Sequence, residues 1–181
     1  MIPSKNPPLN IDKILLSEDV ILQRVQELGM QITQDYQNKD VLLVCVLKGA
    51  LVFFADLIRS IDICFDLDFV QLSSYGNNTQ SSGNVKFCRE LMASVNDRNV
   101  LIIDDIIDSG LTLSYMKNCL LPKNPSSLKI CVLLNKPSRR IHNVEVDYVG
   151  FDIPDEFVVG YGLDFNDMYR GLRHIAVLKK Q

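Results

Sequence analysis

The sequence predicts an α/β domain built on an open, mostly parallel, twisted sheet flanked by helices. Apolar, β-branched runs at residues 41–47, 100–103 and 128–134 are typical of inner strands that are buried on both faces. Helical patterns lie between such strands, at residues 50–59 and 111–120. Strands that alternate with helices along the first two-thirds of the chain favour a parallel sheet.

The remaining elements are placed by periodicity and by turn residues. Residues 18–37 carry apolar side chains at helical spacing, and Ser17 stands in the capping position. Shorter strands or strand-like pieces are predicted at residues 63–72, 85–91, 147–162 and 175–178. The loop-rich last third of the chain is therefore expected to form an irregular hood over the edge of the sheet.

Length and composition indicate one folded domain. The chain has 181 residues, of which 47% are hydrophobic, and this suffices for one full core without disorder. We assign a single domain to residues 1–181. Its core spans about residues 38–135, and its hood combines about residues 1–17 with about residues 136–181.

Charge and cysteine usage exclude several classes of function. A net charge of −3 and a pI of about 5.3 offer no basic footprint for nucleic acid. The five cysteines are scattered and form no C-x-x-C motif, which indicates reduced thiols in a cytoplasmic protein. No secretory signal is visible at the start, and the polar pair Lys48-Gly49 interrupts residues 41–58, so no membrane span is expected.

The most informative segment follows the strand at residues 100–103. Asp104 and Asp105 come directly after this strand and Asp108 follows shortly, and such carboxylates suit a sugar diol and Mg²⁺. Residues 109–112 stand at the start of a helix, where N–H groups, hydroxyls and the helix dipole favour a phosphate. Each residue alone fits an ordinary turn with a helix cap. Together they predict a site for an anionic, sugar-like ligand bound with a metal.

Two lysines also follow predicted strands. Lys48, with Gly49, comes after residues 41–47, and Lys136 comes after residues 128–134. Each lysine fits either a ligand-binding site at the carboxyl end of the sheet or an ordinary solvated loop.

A segment rich in aromatic residues and glycines occupies residues 150–164. It fits either a packed loop or a stacking platform for a planar base, with Phe157 as the stacking side chain. The polar run at residues 76–83 fits either a disordered hairpin or a loop that closes over a site.

The segment from Asp104 to Thr112 resembles the phosphoribosyl-pyrophosphate motif of the type I phosphoribosyltransferase family, in which two acids precede a phosphate loop of small residues. It is neither a Walker loop nor a G-x-G-x-x-G fingerprint. The Lys-Gly, Ser-Ser-Tyr-Gly, Leu-Leu-Asn-Lys and Phe-Val-Val-Gly-Tyr-Gly-Leu-Asp segments complete the likeness to the hypoxanthine-guanine members, over about residues 11–178. One departure is Asp104, where many members carry the longer glutamate.

This resemblance implies a role for each candidate residue. It makes Asp108 the general acid or base at N7 of a purine, and Ser74 and Tyr75 part of the mobile loop that closes over the reaction. The implied ligands of phosphoribosyl pyrophosphate are Lys48, Gly49, Asp104, Asp105, Asp108, Ser109, Gly110, Leu111, Thr112 and Arg170. Those of the purine are Lys136, Phe157, Val158 and Asp164, and those of Mg²⁺ are Asp104, Asp105 and Asp164.

The resemblance also implies the reaction. The 5-phosphoribosyl group would pass from phosphoribosyl pyrophosphate to N9 of hypoxanthine or guanine, with Mg²⁺ as the cofactor and pyrophosphate as the leaving group. A closing loop would exclude water from a carbocation-like sugar. Members of the family form homodimers and homotetramers, so the same assembly is expected here.

Two other classes of protein share parts of the pattern. A nucleotide-sensing regulator that binds RNA or DNA needs a basic face, which the acidic pI disfavours. A receiver domain also uses an acidic pair, Mg²⁺ and a lysine, but it needs no purine-stacking loop and is shorter than this chain.

Overall fold

The computed structural model describes residues 10–74 and 85–179. Ser74 ends a strand, whereas Tyr75 and the predicted closing run at residues 76–83 lie outside the described residues. The described strands are β1 (Ile11–Leu16), β2 (Val41–Leu47), β3 (Asp66–Ser74), β4 (Val85–Arg89), β5 (Asn99–Ile107), β6 (Ser127–Asn135), β7 (Tyr148–Asp152), β8 (Val158–Val159) and β9 (Ile175–Leu178). The α-helices are α1 (Glu18–Asp35), α2 (Leu51–Ile58) and α3 (Leu111–Leu120), and single 3₁₀ turns span Leu121–Lys123 and Pro137–Arg139.

The main sheet has the strand order β4-β3-β2-β5-β6-β7. All neighbours in it are parallel except β4, which pairs antiparallel with β3. This confirms the predicted class, an open and mostly parallel sheet flanked by helices. Because β7 pairs with β6, the sheet extends to Asp152, beyond residue 135 where we placed the end of the core.

The inner strands bury side chains on both faces of the sheet. In β2, Leu43 and Cys45 belong to the core cluster that contains α1 and α2. The alternate residues Leu42 and Val44 belong to the cluster that contains α3. Successive side chains of a strand point to opposite faces, so an unbroken apolar run such as β2 is what a doubly covered sheet requires.

A second, antiparallel sheet of order β1-β9-β8 forms the hood. β1 was not predicted, because most of its residues are exposed or half-buried and it pairs only with β9, more than 150 residues away. Ser17 precedes α1 as predicted, and its carbonyl accepts the N–H of Ile21 at 3.1 Å, but its hydroxyl makes no capping hydrogen bond. Among the described residues, no helix has the length and apolar character that crossing a bilayer demands.

The two central strands separate at their carboxyl ends. β2 and β5 remain paired as far as Cys45 and Ile103, although β2 continues to Leu47 and β5 to Ile107. From β2 the chain runs to β3 on one side, and β5, β6 and β7 follow on the other side. This reversal of strand order is the place where open α/β sheets bind ligands.

Asp68 ties the β3–β4 pair to the loop that follows β4. Its nearly buried carboxylate accepts hydrogen bonds from the backbone N–H groups of Phe69 at 2.7 Å, Met92 at 2.6 Å and Ala93 at 2.9 Å, and it lies 3.5 Å from Arg89. Burial acts to raise the pKa of Asp68, but these donors and the charge of Arg89 outweigh it and lower the pKa below its ordinary value of 3.8.

Asp68→Asn is expected to destabilise the fold at pH 7 by about 2 kcal/mol, because one acceptor oxygen is replaced by an N–H donor that faces backbone donors. The lowered pKa stabilises the wild type above the unfolded value of about 3.9, and this stabilisation is lost as the pH falls through the folded pKa. Urea unfolding at pH 7 and pH 3 checks both effects, with the exposed Asp62→Asn as the control. A difference between wild type and Asp68→Asn that stays constant with pH would contradict the assignment.

Candidate active site

A cavity of about 330 Å³ opens where β2 and β5 separate. Apolar side chains on its walls include Val46, Leu72 and Leu113. The cavity brings together eight of the predicted residues, namely Gly49, Asp104, Asp105, Asp108, Ser109, Gly110, Leu111 and Thr112.

Asp104 and Asp105 form an acidic pair inside β5. The strand does not end at Ile103, as the sequence suggested, because Asp104 and Ile106 remain paired with β6. Asp104 is buried, and burial followed by the neighbouring charge of Asp105 raises its pKa well above the ordinary value. Burial also raises the pKa of Asp105, although its hydrogen bonds and the charge of Arg170 act in the opposite direction.

The acidic pair has the chemistry of a divalent-cation site. Two adjacent carboxylates that burial disfavours in their charged form would be stabilised by a cation between them and the cavity. Among the described residues, no three acidic, histidine or cysteine side chains converge. The acidic pair is therefore the group of residues that could hold a divalent cation at this cavity.

Residues 109–112, the predicted phosphate loop, pack against the segment after β6. The carbonyl of Ser109 accepts hydrogen bonds from the N–H groups of Ile141 at 3.0 Å and His142 at 2.9 Å. Gly110 has φ +83°, and a Cβ there would lie 2.7 Å from the carbonyl oxygen of His142. Since α3 begins at Leu111, the N–H groups of its first turn and the positive end of its dipole lie at the cavity.

The Lys48-Gly49 loop leaves no room for a side chain at Gly49. The peptide bond between Leu47 and Lys48 is cis. A Cβ on Gly49 would overlap Oδ2 of Asp105, and a Cβ on Gly162 would overlap the carbonyl oxygen of Gly49. This loop is therefore packed between the acidic pair and the hood.

Arg170 pairs with two carboxylates of the hood, Asp164 and Asp167. Its guanidinium donates to the carbonyl of Gly162 at 2.8 Å and lies 2.7 Å from Asp164 and 3.3 Å from Asp167. Lys48 Nζ lies 3.6 Å from the same Asp167 carboxylate, on the exposed side. The hydrogen bond from Arg170 and then the charge of Lys48 lower the pKa of Asp167. The two predicted pyrophosphate ligands, Lys48 and Arg170, thus lie beside one another.

The residues predicted to bind the purine lie outside the lining of this cavity. Lys136 is buried directly after β6, and its backbone N–H donates to Ile107 at 3.0 Å. Val158 is buried in β8. Phe157 is 55% exposed and meets Phe165 edge to face, with ring centroids 5.6 Å apart.

Arg139 contacts two carboxylates, those of Asp108 and Asp155. The sequence did not predict a role for it. Its Nε lies 2.8 Å from Oδ1 of Asp108, and its Nη1 lies 3.3 Å from Oδ1 of Asp155, which precedes Phe157 by two positions. The available signal was a basic pair, Arg139-Arg140, close behind Lys136. Asp167 was also missed, although Asn166-Asp167 between Phe165 and Met168 is a turn signal.

Comparisons with known proteins agree with this geometry. Residues 13–166 match the family model described as a phosphoribosyl transferase domain. The hypoxanthine-guanine phosphoribosyltransferase of Bacillus subtilis is 52% identical over 94% of this chain and 94% of its own length.

Solved structures give the same result. The hypoxanthine phosphoribosyltransferase of Staphylococcus aureus superimposes with a TM-score of 0.90 at 44% identity, covering 94% of this chain and 92% of that one. That of Trypanosoma cruzi has a TM-score of 0.88 at 38% identity, covering 96% and 94%.

The open α/β sheet brings an acidic pair, residues 109–112 and Gly49 to one cleft, and the family model assigns this chain to the phosphoribosyl transferase domains. The chain belongs to the hypoxanthine-guanine phosphoribosyltransferase family of phosphoribosyltransferases.

Proposed function

We propose that this protein transfers the 5-phosphoribosyl group from phosphoribosyl pyrophosphate to N9 of hypoxanthine or guanine, giving IMP or GMP and pyrophosphate. This is a purine salvage reaction of a pentosyl glycosyltransferase. The observation that carries the proposal is the cleft between β2 and β5, which gathers the acidic pair, the phosphate loop and Gly49 around one cavity. The identity of 52% with the Bacillus subtilis enzyme supports it.

The cleft positions the sugar. Residues 109–112 bind the 5′-phosphate through N–H groups and hydroxyls at the start of α3. Asp104 and Asp105 accept hydrogen bonds from the ribose hydroxyls. Lys48, Gly49 and Arg170 bind the pyrophosphate group; of these, Gly49 lines the cavity and packs closely against Gly162.

The transfer breaks the bond between C1 of the ribose and the pyrophosphate oxygen, and it forms the bond between C1 and N9 of the purine. The electron pair of the broken bond leaves with pyrophosphate, and Lys48 and Arg170 neutralise the growing negative charge. The acidic pair stabilises the positive charge on the ribose. Asp108 takes the proton from N7 as N9 attacks the opposite face of the sugar.

Mg²⁺ is proposed as the cofactor. Asp104 and Asp105 would hold one ion and Asp164 a second, and the ions would supply positive charge to the pyrophosphate oxygens. The raised pKa of Asp104 supports the first site, because a cation there offsets the burial of its negative charge.

The purine is proposed to bind where the hood meets β6. Phe157 offers an exposed ring for stacking, and the backbone of Val158 lies next to it. Lys136 donates to the 6-oxo group, which favours hypoxanthine and guanine over adenine.

Lys136→Ala is expected to raise KM for hypoxanthine and guanine about 10- to 100-fold, because one hydrogen bond from a charged donor is lost. Adenine has no 6-oxo group, so its KM should change little. The ratio of kcat/KM for hypoxanthine to kcat/KM for adenine should therefore fall. Initial rates with each base measure the change, and the exposed Lys123→Ala serves as the control. If the ratio of kcat/KM for hypoxanthine to kcat/KM for adenine is unchanged, Lys136 does not contact the purine.

We further propose a cytoplasmic, single-domain enzyme that assembles as a homodimer or homotetramer. Large exposed apolar side chains, among them Met92 and Ile141, support an assembly. In the Trypanosoma cruzi enzyme, the C-terminal region has a role in oligomeric state and enzymatic activity. Light scattering of the purified protein measures its mass, and a monomer at working concentration would refute the assembly.

The test of the proposed function is nucleotide formation from phosphoribosyl pyrophosphate and four bases: hypoxanthine, guanine, xanthine and adenine. We expect turnover with hypoxanthine. Turnover should be lost when a chelator removes divalent cations, and it should return when Mg²⁺ is restored. No turnover with any 6-oxopurine would refute the proposal, and full activity in the chelator would refute the metal.

A further inference from the structure

The carboxylate of Asp167 is presented by a defined turn. Phe165 and Met168 exchange two backbone hydrogen bonds, of 3.2 and 3.1 Å, around a two-residue loop. Both loop residues, Asn166 and Asp167, have positive φ, of 53° and 58°, which is the geometry of a type I′ turn. The carboxylate of Asp164 also accepts the N–H of Asp167 at 2.8 Å.

This turn places the Asp167 carboxylate beside Lys48 and Arg170, the two cationic side chains proposed to bind pyrophosphate. Oδ1 of Asp167 lies 3.6 Å from Nζ of Lys48 and 3.3 Å from Nη2 of Arg170. The side chain of Asp167 is 77% exposed, so packing does not require it there. Its contacts are electrostatic, and it meets both cations through one oxygen.

We propose that Asp167 is an internal competitor for the pyrophosphate group, occupying Lys48 and Arg170 in the free enzyme and yielding them to the ligand. The inference rests on the proposed function, which assigns pyrophosphate to these two cations. Pyrophosphate carries several negative charges and therefore displaces a single carboxylate. Because exposed ion pairs are weak, the competitor lowers affinity without blocking the site. Asp167 lowers the affinity both for phosphoribosyl pyrophosphate and for the product pyrophosphate. The lower affinity for pyrophosphate favours its release.

The turn allows clean substitutions. Asparagine and glycine both accept the left-handed conformation, so Asp167→Asn and Asp167→Gly remove the charge and keep the turn. Asp97→Asn is the matched control, because Asp97 also has φ 58° and stands before the amino end of β5, at the edge of the sheet away from the cavity.

The experiment is calorimetric titration of each form with inorganic pyrophosphate in the presence of MgCl₂. We expect the dissociation constant to fall about twofold to tenfold in both Asp167 variants, and to stay at the wild-type value in Asp97→Asn. The difference should shrink at high salt, where exposed charges are screened. In steady-state rates, KM for phosphoribosyl pyrophosphate should fall by a similar factor while KM for hypoxanthine is unchanged.

Equal affinities in all forms, or no binding of pyrophosphate by any form, would overturn the proposal. Weaker binding in the Asp167 variants would also overturn it, and would make Asp167 a ligand of the metal–pyrophosphate complex instead. Titration needs no turnover. Tighter binding in the variants without any nucleotide formation would therefore uphold the competitor and refute the proposed reaction alone.

Discussion

Asp108→Asn should lower kcat about 10²- to 10⁴-fold, while the affinity for phosphoribosyl pyrophosphate changes little. Asparagine has nearly the shape of aspartate but cannot take or return the N7 proton. Asp108 lines the cavity between the acidic pair and the phosphate loop, so it lies within the site. The loss therefore falls on the chemical step and not on binding of the donor.

The measurement separates chemistry from binding. Single-turnover rates report the chemical step, and equilibrium titration with phosphoribosyl pyrophosphate reports the affinity. Asp155→Asn is a matched control, since Asp155 shares Arg139 with Asp108 but does not line the cavity. Equal losses of rate and affinity in Asp108→Asn would show that Asp108 positions the substrate and does not transfer the proton.

The central elements could be predicted from the sequence because their signals are local. β2 and α3 have the predicted bounds, because a seven-residue apolar run has the length of a buried strand and Pro122 closely follows the helical segment. β5 was predicted too short. Two adjacent aspartates resemble a strand end, but β6 keeps Asp104 and Ile106 paired, and the separation from β2 is what exposes the acidic pair to the cavity.

The sequence predicted eight of the residues that line the cavity, but it did not predict the contacts that Arg139 and Asp167 make. The segment from Asp104 to Thr112 forms one wall of the cavity, as its motif indicated. The contacts of Arg139 with Asp108, and of Asp167 with Lys48, join residues that are far apart in the chain. Their presence depends on how the hood is placed on the sheet, and no periodicity or motif in one sequence reports that placement.

Gly49 illustrates a second kind of information that only the structure provides. A glycine in a Lys-Gly pair is compatible with any loop, yet here an added Cβ would overlap Oδ2 of Asp105. On the other side, the carbonyl of Gly49 lies where a Cβ of Gly162 would be. The loop therefore cannot move away from Asp105 without displacing the hood.

Gly49→Ala is accordingly expected to lower kcat/KM for phosphoribosyl pyrophosphate about 100-fold, because the methyl group forces the Asp105 carboxylate or the Lys48 loop out of place. Displacements of about 1 Å at a catalytic site cost this much. Steady-state kinetics measure the loss, and a thermal melt shows whether the fold survives. Gly171→Ala is the matched control, since a Cβ there meets nothing within 4 Å. If Gly49→Ala is folded and keeps wild-type kcat/KM, the contact between Gly49 and Asp105 does not constrain the site, and the acidic pair is held by β5 and β6 alone.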